Sequence, residues 1–139
     1  MKEGSLIFTD QGGDFVNRVT RLTWTHALIY LNGYYYEATP PVVRKTTKWP
    51  PKGHTVLVVE PDIDYTSQQL QLMRSYAEKM LGTPYRLRGY LFPSIFGKTR
   101  GVYCSEFACN TLRAGGVPLD YKSGYTPDLL YEAITGEKP

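Results

Sequence analysis

Three side chains in this sequence have the types needed for nucleophilic chemistry: Cys104, His26 and Glu37. Cys104 stands at the predicted start of a helix. The positive end of a helix dipole favours thiolate, the nucleophilic form of cysteine. The Cys104 amide there can also meet the oxygen of a tetrahedral intermediate. An imidazole beside the sulfur would complete an activated nucleophile. The plainer alternative is a small buried hydrophobe, the commoner fate of a free cysteine. Cys109 falls inside the same helix, beyond that N-terminal field, and reads as core.

His26 opens a predicted strand, 26–31, and a second, 34–39, follows Asn32-Gly33, a preferred two-residue hairpin turn. If these two residues make the turn, Leu31 faces Tyr34 and Leu28 faces Glu37. Side chains alternate along a strand, so His26, Leu28 and Glu37 share one face. His26 and Glu37 are then diagonal neighbours, with α-carbons roughly 7–8 Å apart. A carboxylate at that distance can orient the imidazole, fix its tautomer and stabilise its charged form. The competing reading is a solvated face bearing a surface ion pair, and a slip of one residue would part the two groups. His54, between Gly53 and Thr55, reads as a surface residue after a Pro-Pro loop.

The remaining elements must bring these groups together. Ser5–Thr9 reads as a strand. Asp14 caps a helix with Phe15, Val16, Val19 and Leu22 on one stripe. Pro40 and Pro41 close the hairpin, and Lys45–Gly53 is a loop. Thr55–Glu60 is a strand whose Val-Leu-Val-Val run suggests burial on both faces. Thr66 and Gln69 have capping-box spacing before Leu70, Met73, Ala77 and Met80, a helix that Gly82 and Pro84 stop. Tyr85–Arg100 is irregular, aromatic and basic. Cys104–Ala114 is helical up to Gly115-Gly116, and a last helix begins near Pro127 with Thr126 as cap. The sum is α+β, an antiparallel sheet with packed helices.

The 139 residues suit one domain, 1–139, large enough for a core without disulfides. Hydrophobic residues at 42% and charged residues at 21% exclude a disordered or fibrous chain. The net charge of +3 implies at most weak contact with a membrane surface. Basic residues are scattered and no recognition motif appears, which disfavours nucleic acid as a partner. Two cysteines with no histidine cluster offer neither a zinc site nor, if both lie on one helix, a disulfide, so no metal or other cofactor is expected. Reduced thiols, no signal-peptide core and no membrane-length apolar run suit a cytoplasmic protein, with any delivery outside the cell by a route the sequence does not show. A monomer is expected.

Several segments, taken in order, resemble a known group. Gly4-Ser5-Leu6-Ile7-Phe8 is similar to an opening Gly-Asp-Leu-Ile strand, with serine in place of aspartate. Thr25-His26-Ala27-Leu28-Ile29 resembles a histidine strand, and Glu37-Ala38 the Glu-Ala strand after it. Gly82-Thr83-Pro84-Tyr85 resembles a Gly-x-x-Tyr element, and Tyr103-Cys104-Ser105-Glu106-Phe107 a cysteine motif. All five belong to the circularly permuted NlpC-like, papain-related cysteine hydrolases of the YiiX/YaeF type. The resemblance covers roughly 4–118. It implies a permuted papain-like fold, histidine before cysteine, with a triad of Cys104, His26 and Glu37. Members of the group are associated with amide bonds in cell-wall peptides, or with amide and ester bonds of lipid-linked substrates.

The leading expectation is therefore a cysteine amidase or peptidase acting through an acyl-enzyme, with Tyr85, Tyr103 and Trp24 as candidate cleft residues or core aromatics. A second keeps the fold and changes the acceptor to a lipid. Tyr90-Leu91-Phe92-Pro93 and Ile95-Phe96 would take an acyl chain, with Lys98 and Arg100 at anionic head groups. A third is a non-catalytic binding or structural module. Proximity discriminates: an enzyme needs the Cys104 sulfur within loose hydrogen-bonding range of a His26 nitrogen, about 3–4 Å.

Overall fold

The computed structural model describes residues 1–10, 24, 26–49, 56–85 and 103–139. The expected helix capped by Asp14, His54, and the irregular basic stretch after Tyr85, with the whole acyl-chain segment, Lys98 and Arg100, lie outside these residues.

The described residues form an α+β fold with a five-stranded antiparallel sheet. In chain order the strands are β1 (Leu6–Thr9), β2 (His26–Leu31), β3 (Tyr34–Thr39), β4 (Val42–Thr46) and β5 (Val56–Val59). In the sheet they run β4-β3-β2-β1-β5. Three helices follow: α1 (Ser67–Met80), α2 (Cys104–Ala114) and α3 (Pro127–Thr135), with a 3-10 turn at Tyr121–Gly124 before the last. No described helix is long and apolar enough to cross a membrane.

The β2–β3 hairpin has the expected bounds and register. Leu31 pairs with Tyr34 and Ile29 with Tyr36. Asn32 and Gly33 both take positive φ, 52° and 83°, as a twist-matched two-residue turn requires. Both carboxylate oxygens of Glu3 accept from the Asn32 amide, at 2.9 and 2.7 Å, and tie the turn to the chain's first residues.

Two expectations are corrected. Pro40 and Pro41 do not end the ribbon. They form the connection between Thr39 and Val42, which pair directly, and β4 runs through Lys45 and Thr46, where a loop was expected. Proline is excluded from strand interiors because it lacks an N–H, and that lack costs nothing in a connection. β5 is not buried on both faces. It pairs only with β1 among the described residues, and all four of its side chains are half-buried, as befits an edge.

One sheet face carries Leu6, Phe8, Ala27, Ile29, Leu31, Tyr36 and Ala38 into the main core. Met73 and Ala77 of α1, Phe107, Ala108, Cys109 and Leu112 of α2, and Leu130 of α3 complete it. The helices are set in place by their caps. Thr66 and Gln69 form the full capping box of α1, and Thr126 accepts from the Leu129 amide of α3, which satisfies donors that a helix start otherwise leaves open. Helix α2 packs against β2, β3, α1 and the 3-10 turn. Its fit against that turn is close. A Cβ added at Gly124 would come within 2.9 Å of Cys109 Cβ and 3.0 Å of Glu106 Cα.

Candidate functional site

The alternate side chains of the central strands, Ile7, Thr9, His26, Leu28 and Glu37, are also buried. In a sheet covered on both faces a polar side chain must find a partner or carry a penalty. His26 and Glu37 find each other. His26 Nε2 lies 3.2 Å from Glu37 Oε1, with the two residues only 4% and 5% exposed. The diagonal pairing expected from the hairpin is therefore present, and it is buried rather than a solvated surface pair.

His26 is the first residue of β2, and Cys104 is the first residue of α2. The two ends meet: the His26 side chain hydrogen-bonds Cys104. Glu37 engages Nε2, so Nδ1 is the ring nitrogen that remains for the sulfur. Cys104 is fully buried. Residue 103 is the N-cap of α2 and provides no side-chain cap, so the first turn keeps its field directed outward from the helix start. Ser105, the next residue after the cysteine, anchors this turn by donating from Oγ to the Gly124 carbonyl at 2.8 Å.

The electrostatics of the imidazole follow from its two neighbours. Burial alone pulls the His26 pKa down, since it disfavours the charged ring. Hydrogen bonds and charge from Cys104 and Glu37 more than reverse this and lift it from 6.5 to about 9. Glu37 is opposed in the same way. Burial pushes its pKa up, but the hydrogen bond and charge of His26, followed by the charge of Arg44, hold it below the usual carboxylate value.

Arg44 is the residue that sequence reasoning missed. It pairs directly with Glu37 across β3–β4, and its Nη2 lies 3.7 Å from the same Oε1 that His26 contacts. The signal was the β-branched Val42-Val43 start of β4, hidden behind two prolines. Had that strand been paired with β3, Arg44 would have fallen opposite Glu37.

The aromatic cleft candidates separate. Trp24 belongs to the main core, its ring 6.3 Å from Phe8, and its amide donates to Asp128 Oδ1 at 2.8 Å. Tyr103 is almost wholly buried beside Cys104 in sequence. Tyr85 is half-buried and packs at the edge of the core. A cleft of about 500 Å³ opens elsewhere, between residues 59–65, Gly116–Leu119 and the end of α3, and none of Cys104, His26 and Glu37 lines it. Among the described residues, no cluster of three or more His, Cys, Asp and Glu could hold a metal ion.

The architecture is that of an α+β protein whose helix-start cysteine meets a strand-start histidine. The solved structure of the metalloprotein YiiX from Escherichia coli O157:H7 is similar to it in fold. The TM-score is 0.63 and the identity 18%, over 99% of this chain and 68% of that one. No family model and no curated protein matches the sequence.

Proposed function

We propose that this protein is a cysteine hydrolase that cleaves an amide bond, on a circularly permuted papain-like fold, with cell-wall peptides as the favoured substrate class. One observation carries the reading: a buried imidazole engaged by a helix-start thiol and by a buried carboxylate. The likeness to YiiX supports the fold part of it.

The chemistry follows from the geometry. The Cys104 sulfur attacks the amide carbonyl as His26 takes the thiol proton. The carbonyl π electrons move to oxygen, where the Cys104 amide and the helix field stabilise the charge. The intermediate collapses, the C–N bond breaks, and the amine leaves with the proton from His26. A thioester remains. His26 then takes a proton from water, the hydroxyl adds to the thioester, and the C–S bond breaks to give the acid and the thiol. Glu37 stabilises the imidazolium at each proton transfer. The lift of the His26 pKa to about 9 favours the proton on the ring once the thiol has given it up.

The test is release of free amines from cell-wall peptide fragments by the purified protein, with fluorescent acyl lipids in parallel. Hydrolysis of peptide amides, lost in Cys104→Ala, is expected. Equal turnover by wild type and Cys104→Ala would sink the reading, and turnover of the lipid alone would move it to lipid-directed chemistry.

A further inference from the structure

One oxygen of the buried Glu37 carboxylate serves two neighbours. Glu37 Oε1 lies 3.2 Å from His26 Nε2 on β2 and 3.7 Å from Arg44 Nη2 on β4. Among the described residues these are the charged groups that face the carboxylate, and the Cys104 thiol of α2 stands beyond the ring. The His26 contact is within hydrogen-bonding range, whereas the Arg44 contact is longer and acts through charge. The Arg44 side chain is 59% exposed, so one of the two supports of a buried group reaches into water. The backbone fixes where Arg44 stands. Val43 is buried in the core, and alternation sends Arg44 to the opposite face, where it directly opposes Glu37. β3 pairs with β4 along its whole length. On its other side, the Val43 amide donates to the Thr83 carbonyl at 2.9 Å, the Gly82 amide to the Val43 carbonyl at 2.9 Å, and the Tyr85 amide to the Pro41 carbonyl at 3.0 Å. The Gly82-Thr83-Pro84-Tyr85 segment thus clamps the backbone just before Arg44.

We propose that Arg44 is a positioning residue for the hydrolase reaction, whose guanidinium keeps the Glu37 carboxylate charged and directed at His26 while the imidazole is neutral. The proposal rests on the hydrolase reading above and names the half of the reaction that depends on Arg44. Burial favours the neutral form of a carboxylic acid, and a neutral acid cannot stabilise an imidazolium. While His26 is protonated, the ring itself keeps the carboxylate charged. Once His26 has passed that proton to the leaving amine, Arg44 is the remaining described cation at Oε1. The thioester is hydrolysed from this state, as His26 takes a proton from water and becomes charged again. Deacylation is therefore the step that leans on Arg44.

Hydrolysis of p-nitrophenyl acetate tests this. The Cys104 sulfur takes the acetyl group as the ester C–O bond breaks and p-nitrophenolate leaves. Water then cleaves the thioester with His26 as base, giving acetate and the thiol. The initial burst of p-nitrophenolate reads acylation, and the steady rate after it reads deacylation. Arg44→Gln should lower the steady rate about fivefold on the acid side of the pH profile, the upper end for an ion pair half open to water. It should approach wild type on the alkaline side, and the burst should change less. The acid limb moves to higher pH because a carboxylate without its arginine takes up a proton sooner. Arg44→Lys keeps the charge and should restore most of the limb, while Lys48→Gln, which removes a neighbouring charge, should leave it in place. Molar sodium chloride should move the wild-type limb toward that of Arg44→Gln, since salt screens a contact open to water. A limb unmoved in Arg44→Gln, a limb as displaced in Arg44→Lys as in Arg44→Gln, or a wild-type limb indifferent to salt overturns the proposal. The salt arm uses the wild-type chain and stands even where a variant folds poorly.

A second measurement reads Glu37 without turnover. Its carboxyl carbon resonance, assigned by its loss in Glu37→Gln, should titrate at higher pH in Arg44→Gln than in wild type. Turnover without that displacement overturns the role of Arg44 and leaves the hydrolase reading standing. The displacement without any turnover that depends on Cys104 instead overturns the hydrolase reading and leaves the hold of Arg44 on Glu37 intact.

Discussion

Cys104 and Cys109 lie on one helix, both fully buried, and their surroundings differ completely. Cys104 begins the helix and meets His26. Cys109 lies about a turn and a half further on in the core, directs its thiol at the Asp120 carbonyl 3.7 Å away, and packs against the 3-10 turn. Burial pushes the Cys109 pKa up to about 11, with Asp120 and Glu106 adding to the rise against Arg113. Solvent exposure therefore does not separate the proposed nucleophile from the packing thiol here. The partner does: an imidazole that can accept a proton against a carbonyl that cannot.

That contrast can be broken in order of expected effect. Cys104→Ala should abolish amide hydrolysis, a loss of roughly 10³-fold or more, whereas Cys109→Ala should leave the turnover number within a few-fold of wild type. Comparable losses in both would erase the distinction. His26→Ala should lower kcat/KM by on the order of 10³-fold, the range for a positioned acid–base group, and should slow iodoacetamide labelling of Cys104 with no effect on Cys109. Glu37→Gln keeps a hydrogen-bonding group but removes the charge. It should cost on the order of 10²-fold and move the His26 limb of the pH–rate profile to lower pH, because the charge that lifts the ring is gone. An unmoved limb would remove Glu37 from the machinery.

On the packing side, Gly124→Ala forces a methyl group toward Cys109 Cβ and the α2 backbone. It should destabilise the protein by about 1–3 kcal/mol, as overpacking does, measured by urea unfolding. The double variant with Cys109→Ala should recover part of that loss. The smallest effect is the pH dependence of stability. His26 titrates at about 9 when folded against 6.5 ordinarily. Its contribution is therefore whole below its ordinary pKa and disappears as pH rises through the folded one. Glu37, lowered by folding, contributes above the ordinary carboxylate range and loses that contribution as pH falls through its folded value. Unfolding midpoints should fall between pH 6.5 and about 9 in wild type, and this part of the slope should vanish in His26→Ala.

The local parts of this arrangement were legible in the residues. Asn32-Gly33 sets the hairpin, and alternation then puts His26 and Glu37 on one face. Thr66 and Gln69 mark the start of α1, and Gly115-Gly116 the end of α2, because caps are short-range chemistry. The meeting of Cys104 with His26 is of another kind. It depends on how α2 docks on the sheet, and no spacing encodes that. The resemblance to a known group supplied the expectation, and packing realises it. β4 was lost because two prolines outweighed the Val42-Val43 signal, and Arg44 went with it. β5 read as central because an apolar run looks the same at a half-covered edge.

The two-residue turn at Asn32-Gly33 also sets how this molecule can vary. Most surface turns accept an extra residue at little thermodynamic cost, since loop entropy grows slowly with length. Here a single insertion without a compensating bulge would rotate the following strand by half a period, sending Tyr36 toward the imidazole and the carboxylate into the oily layer beneath the helices. Length polymorphism in homologues should therefore avoid this turn or arrive in pairs, which makes the tip of the ribbon a ruler for the histidine–carboxylate pair at its far end.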